Sequence, residues 1–315
     1  MTGADGWTVA RIPDQTGRTV IVTGANSGLG LATAEQLARH GARVVMAVRD
    51  EAKGHRAAAG ITARHPGVSL EVRRLDLADL ESVRTFADRA HADLAGVDVL
   101  VNNGGLMFPP RRLSPQGHEI QFATNHLGHF ALTGLLLELL RKRPDARVVT
   151  VTSLLHRRGR IRFDDLTGAR RYSPREFYAQ SKFANVVFGL ELDRRMRAAG
   201  EAVRSVLAHP GYAATNLQTS GPTGAMRLFG QIGNRIMAQD AASGALPQLY
   251  AATDPAAEGG QLIGPGGPFE LRGHPTPVRP ARPAADRQTA QRLWRLSEEL
   301  TSVTYDLPEV GSVAQ

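Results

Sequence analysis

Two side chains four residues apart carry the clearest chemistry in this chain. Tyr178-Ala179-Gln180-Ser181-Lys182 sets a phenol and an ammonium at i and i+4, positions that share one face of a helix. Delivering a hydride to a carbonyl carbon requires a proton at the oxygen; oxidising an alcohol requires that proton's removal. An unperturbed phenol titrates near ~10, too high for an efficient base at neutral pH. A neighbouring ammonium favours the phenolate. Five tyrosines and three lysines (Lys53, Lys142 and Lys182) in 315 residues give roughly 0.05 such pairs by chance.

A second group is built to hold an anion. Thr23-Gly24-Ala25-Asn26-Ser27-Gly28-Leu29-Gly30 joins an apolar β-branched run to a helical one. Gly24 permits a tight turn off a strand, Gly28 lets the backbone approach a pyrophosphate, and Gly30 lets helix and sheet pack closely. The helix N-terminus then presents N–H groups and positive dipole. The second strand ends Val44-Val45-Met46-Ala47-Val48-Arg49. Val48 stands where NAD-preferring folds place an acid for the ribose 2′-OH. Arg49 pairs with a 2′-phosphate, as Lys53 could one turn later, so NADP(H) is preferred and NAD(H) is the alternative.

The elements that must position these groups alternate. Strands are read at 19–23, 43–47, 68–74, 97–101, 147–152, 202–208 and, weakly, 261–263. Helices are read at 29–40, 52–64, 80–94, 118–141, 174–199 and 286–300. Such alternation argues for a parallel sheet covered on both faces. Residues 1–16 read as a flexible arm, the Pro/Gly-rich stretch 264–283 as a surface loop, and 307–315 as a tail.

The absence of cysteine removes disulfides and thiolate chemistry and suits a cytoplasmic protein. The apolar stretch 132–140 is too short to span a bilayer. The net charge of +8 is mostly arginine, spread along the chain without a basic recognition motif, which argues against nucleic acid. His126 and His129 lack a third ligand nearby, so no metal is expected.

Thr-Gly-x-x-x-Gly-x-Gly with Tyr-x-x-x-Lys resembles the short-chain dehydrogenase/reductase (SDR) family over about residues 17–306. The resemblance implies one α/β domain, a doubly wound Rossmann-like seven-stranded parallel sheet with helices on both faces. It implies a catalytic set of Asn125, Ser153, Tyr178 and Lys182. In it Ser153 hydrogen-bonds the substrate oxygen, and Asn125 holds a water beside the lysine. Implied cofactor contacts are Thr23, Gly24, Asn26, Ser27, Gly28, Leu29, Gly30, Arg49, Asp76 and Leu77 at the adenine, Asn103, Gly104, Tyr178, Lys182, Pro210, Gly211 and Thr215. Asn102-Asn103-Gly104-Gly105 is similar to the family's Asn-Asn-Ala-Gly. The insertion between Ser153 and Tyr178, with Leu293-Trp294-Arg295-Leu296-Ser297-Glu298, resembles the retinol dehydrogenase and protochlorophyllide reductase-like branch. Pairing of the helices 118–141 and 174–199 implies a homodimer or homotetramer.

The expected activity is hydride transfer between NADP(H) and a carbonyl or alcohol substrate. Segments 107–113, 154–163 and 212–237 should cover the cleft; their Met107, Phe108, Leu154, Leu155, Tyr212, Leu228 and Phe229 suit an apolar substrate. A dinucleotide-sensing interaction protein on the same fold is the alternative.

Overall fold

The β-branched runs of the sequence become strands buried on both faces, flanked by a more polar and only partly buried edge strand at Ser69–Arg74. They are β1 (Thr19–Thr23), β2 (Arg43–Val48), β3 (Ser69–Arg74), β4 (Val99–Asn102), β5 (Arg147–Val151), β6 (Arg204–Ala208) and β7 (Leu262–Pro265). The computed structural model describes residues 6–212 and 240–310. All seven strands run parallel in one sheet of order β3-β2-β1-β4-β5-β6-β7. The order reverses at β1, whose two neighbours β2 and β4 diverge beyond their carboxyl ends. In open α/β sheets that crevice is where ligands bind.

Helices α1 (Gly28–Arg39), α2 (Glu51–Arg64) and α3 (Leu80–Asp93) follow the first three strands. Asp50 caps α2 through the Lys53 amide at 3.0 Å, and Asp79 caps α3 through the Glu81 amide at 3.1 Å. Two apolar layers sandwich the sheet. Leu37, Ile61 and Leu249 lie in one; Phe86, Leu132, Phe188 and Trp294 lie in the other.

The fold corrects four expectations. First, the sheet has an eighth strand, β8 (Pro275–Val278), antiparallel to β7. Two of its four residues are proline, which an edge strand tolerates but which disguises the strand pattern. Second, the helix expected at 118–141 is broken into α4 (Ile120–Phe122), a π-turn (Ala123–Leu127), α5 (Gly128–Leu135) and α6 (Leu137–Arg141). Third, residues 6–16 pack against the domain rather than hanging free. Trp7 and Ile12 are buried, and the Trp7 indole donates to Asp254 Oδ2 at 2.7 Å. Fourth, a helix unread in the sequence, α8 (Ala241–Thr253), covers β5 to β7; Gly244 and Pro247 interrupt its helix-forming pattern.

The long helix α7 (Pro174–Ala198) has proline in its first turn, as expected. Its outer side is covered within the chain by α9 (Arg287–Thr301), which Asp286 caps. Trp294 packs against Phe130 and Phe188, and the Arg195 guanidinium lies 4.3 Å from the Trp294 ring. Beyond α9, Tyr305 donates to the Phe130 carbonyl at 2.6 Å and rests over Gly134. One face of each of the helices α5 and α7 therefore meets the chain's own C-terminal segment. Among the described residues, no helix is long and apolar enough to cross a membrane.

Candidate active site

At the end of β1 the backbone turns through Gly24, whose φ of +67° L side chains rarely adopt. A Cβ at Gly30 would lie 2.5 Å from the Gly24 carbonyl oxygen, so only glycine lets α1 begin against the turn. Ser27 and Asn26 are half-buried there, and Leu29 is buried. The Ser27 hydroxyl does not cap α1, and no acid occupies its first turn. The helix N-terminus is thus left polar and positive.

Thr23 ties this turn to the loop after β4. Its Oγ1 accepts from the Asn103 amide at 2.9 Å and the Gly104 amide at 2.8 Å. Its carbonyl accepts from Asn103 Nδ2 at 2.8 Å. His129, buried on α5, completes the joint. Its Nδ1 lies 3.0 Å from the Asn125 carbonyl, which can only accept, so Nδ1 carries the proton. Nε2 is then the acceptor for the Thr23 hydroxyl, also at 3.0 Å. Burial pushes the His129 pKa down to about 4, which fits a neutral ring. His126 instead reaches Ser297 at 2.9 Å.

Asn125 sits in the π-turn, completely buried. Its Oδ1 accepts from the Leu106 amide at 2.9 Å, and Nδ2 donates to the Leu106 carbonyl at 3.1 Å and to Ser181 Oγ at 2.9 Å. The side chain therefore clamps the loop after β4 to α7. One turn earlier, Gln121 accepts from the Phe108 amide at 2.9 Å and donates to the Tyr172 hydroxyl and the Pro174 carbonyl. It holds Phe108 at a φ of +58° with its ring edge-on to Tyr178, centroids 5.2 Å apart.

Ser153 follows β5 and Tyr178 and Lys182 rise from α7. The end of β5 grips that helix. The Val151 carbonyl accepts from Lys182 Nζ at 3.1 Å and Asn185 Nδ2 at 3.2 Å, and Thr152 Oγ1 donates to the Lys182 carbonyl at 2.8 Å. Lys182 Nζ lies 5.9 Å from the Tyr178 ring centroid, so the phenol and ammonium do share one face. The expected acidification of Tyr178 is not found in the protein alone. Burial pushes the phenol up to about 12, and a hydrogen bond with Ser153 pulls it partly back. The same burial pushes Lys182 down to about 8.

The remaining predicted contacts ring the same crevice. Arg49, at the end of β2, is exposed and makes no ion pair or hydrogen bond among the described residues. Lys53 is paired with Asp50 at 3.3 Å. Asp76 accepts from the Ala78 amide at 3.0 Å, and Leu77 is buried beside Gly104. Pro210 and Gly211 turn away from β6, with Gly211 at φ +67°. Thr215 lies outside the described residues, as do Leu228 and Phe229.

Relatives bear on this arrangement. The family model for short chain dehydrogenases matches residues 18–224, more than half of the chain. The chain belongs to the short-chain dehydrogenase family. Within the SDRs it falls in the retinol dehydrogenase branch. Human retinol dehydrogenase 14 is 38% identical over 304 residues, covering 91% of this chain and 87% of that protein. Mouse retinol dehydrogenase 12 is 46% identical over 195 residues, 62% of this chain and 61% of that one. Among solved structures, an uncharacterised protein from Mycobacterium paratuberculosis shares 46% identity. It aligns with a TM-score of 0.81 over 96% of this chain and 100% of its own. A short chain dehydrogenase from Shigella flexneri complexed with NADP shares 25% identity at a TM-score of 0.62, over 80% of this chain and 98% of that one. The SDR motifs were legible from spacing. The residues that brace them, His129, Gln121 and Tyr172, were not, because their partners lie tens of residues away.

Proposed function

We propose that the chain is an NADP(H)-dependent oxidoreductase that moves a hydride between nicotinamide and the carbonyl or alcohol group of a mainly apolar small molecule. One observation carries the reading. Tyr178 and Lys182 are buried together beside Ser153, at the same carboxyl-terminal end of the parallel strands as the glycine turn.

The residues present fit a dinucleotide. The uncapped start of α1 suits a pyrophosphate, the free carboxylate oxygen of Asp76 an adenine amine, and Arg49 a 2′-phosphate. Asn26, Ser27 and Asn103 line the same path, and Pro210 and Gly211 stand on the nicotinamide side. The bound dinucleotide supplies the hydride donor or acceptor. Tyr178 delivers the proton to the substrate oxygen in reduction and removes it in oxidation. Ser153 hydrogen-bonds the same oxygen and steadies its developing charge. Lys182 favours the phenolate, and Asn125 fixes the floor beneath Lys182. The NADP-complexed Shigella relative supports the cofactor class, and Arg49 supports the 2′-phosphate.

The test is steady-state turnover with both cofactors. kcat/KM should favour NADPH over NADH, and a clear NADH preference would refute the assignment. Tyr178→Phe should lose about 10²–10⁴-fold in kcat while NADPH binding, followed by fluorescence, is kept. Equal turnover in both proteins would reject Tyr178 as the acid.

A further inference from the structure

Residues that adjoin Ser153 and Tyr178 in the chain line an open groove of about 500 Å³. Leu154 and Leu155, directly after Ser153, form one wall, and Arg175, one turn before Tyr178, forms another. The tip of the β7–β8 hairpin closes the third side with Phe269 and Glu270. That tip is unusual in two respects. Phe269 is 88% exposed, although it is a large aromatic. Both residues hold left-handed backbones, φ +54° and +57°, a conformation that persists only where surroundings enforce it.

The enforcement is visible. Glu270 Oε1 accepts from Arg157 at 2.7 Å, and Oε2 lies 3.0 Å from His209 Nε2. The Gly211 amide donates to His209 Nδ1 at 3.2 Å, so Nε2 bears the proton and donates to Glu270. Two contacts thus lock the hairpin tip onto the Pro210–Gly211 turn and onto the segment after Ser153. They also neutralise Arg157. Arg158 and Arg175 line the same groove, yet neither makes an ion pair or hydrogen bond among the described residues. The groove therefore combines apolar walls with two exposed guanidinium groups that no described residue pairs with, and their planar forks match a carboxylate.

We propose that this groove is a substrate subsite for an apolar carbonyl compound bearing a carboxylate at the end remote from the reacting carbon. Arg158 and Arg175 receive the carboxylate, while Leu154, Leu155 and Phe269 hold the chain between. This rests on the oxidoreductase reading above and narrows its substrate class.

A matched pair of aldehydes, decanal and ω-oxodecanoate, tests it with NADPH and the full chain. Wild type should reduce the oxo acid with kcat/KM about tenfold higher, mostly through KM, and added salt should shrink the gap. Arg158→Gln combined with Arg175→Gln should erase the preference and leave decanal turnover within about twofold. Equal kcat/KM for the pair in wild type, or a preference that survives the double substitution, overturns the subsite. If neither aldehyde consumes NADPH, the oxidoreductase reading fails for this class and calorimetry with decanoate decides the subsite separately. Decanoate should bind the NADPH-loaded wild type and not the double variant; equal heats, or none in wild type, reject it.

Discussion

Tyr178 and Lys182 are held by burial in forms that suit carbonyl reduction. The phenol, raised to about 12, keeps its proton at neutral pH, and the ammonium, lowered to about 8, is the first of the two to titrate. With Lys182 protonated below about pH 8 and neutral above it, reductive kcat/KM should hold near pH 7 and fall through that value. A pH–rate profile flat to pH 10 would remove the ammonium from the mechanism. His129 gives a second outcome at this scale. His129→Phe removes the imidazole from the Thr23 hydroxyl, which keeps only its longer 3.3 Å contact with the Val101 carbonyl, and from the Asn125 carbonyl, at a cost of about 1–3 kcal/mol. NADPH affinity and thermal stability should both drop, and His129→Gln, which can donate and accept, should recover part of each. Spacing made Tyr178 and Lys182 legible because helix geometry brings i and i+4 together. Nothing local in the sequence links His129 to Thr23, 106 residues away; only the parallel sheet does.

Among the elements, the π-turn at Ala123–Leu127 matters most to the site. The apolar pattern of 118–141 reads as one helix, because one extra residue in a turn leaves the buried stripe nearly unchanged. The turn instead aims the Asn125 side chain at the Leu106 backbone. Asn125→Ala abandons three hydrogen bonds. It should cost about 2–4 kcal/mol, two or three buried polar groups' worth, and lower kcat more than it weakens NADPH binding. Chemical denaturation with single-turnover kinetics separates the two; an unchanged kcat would leave the clamp purely structural. The central strands were legible because both faces are buried, which makes each a nearly continuous apolar run. Strand β8 was not, since prolines replace half of its residues and the edge position alone makes them acceptable.

Across the whole molecule, three of the buried histidines press on the acid limit. Burial lowers His126 to about 3 and His129 and His156 to about 4. Between those values and ~6.5 the unfolded chain binds protons that the native one refuses, so stability falls as pH drops through that window. Tm should decline from about pH 6.5 downward with a slope near three protons, and a Tm flat to pH 5 would contradict it. The overall α/β order was readable from alternation alone. The close packing of residues 6–16 was not, because Trp7 finds Asp254 and Tyr250 only after folding.

The seating of α9 and Tyr305 on α5 and α7 has a consequence for dilution. A surface sealed by a tethered segment of the same chain faces a local concentration that the bulk solution cannot alter, unlike one sealed by a second molecule. Melting at nanomolar and at near-millimolar protein should therefore give one temperature. Cutting the tether before Arg287 would bare Phe130 and Phe188 and leave a sticky apolar face.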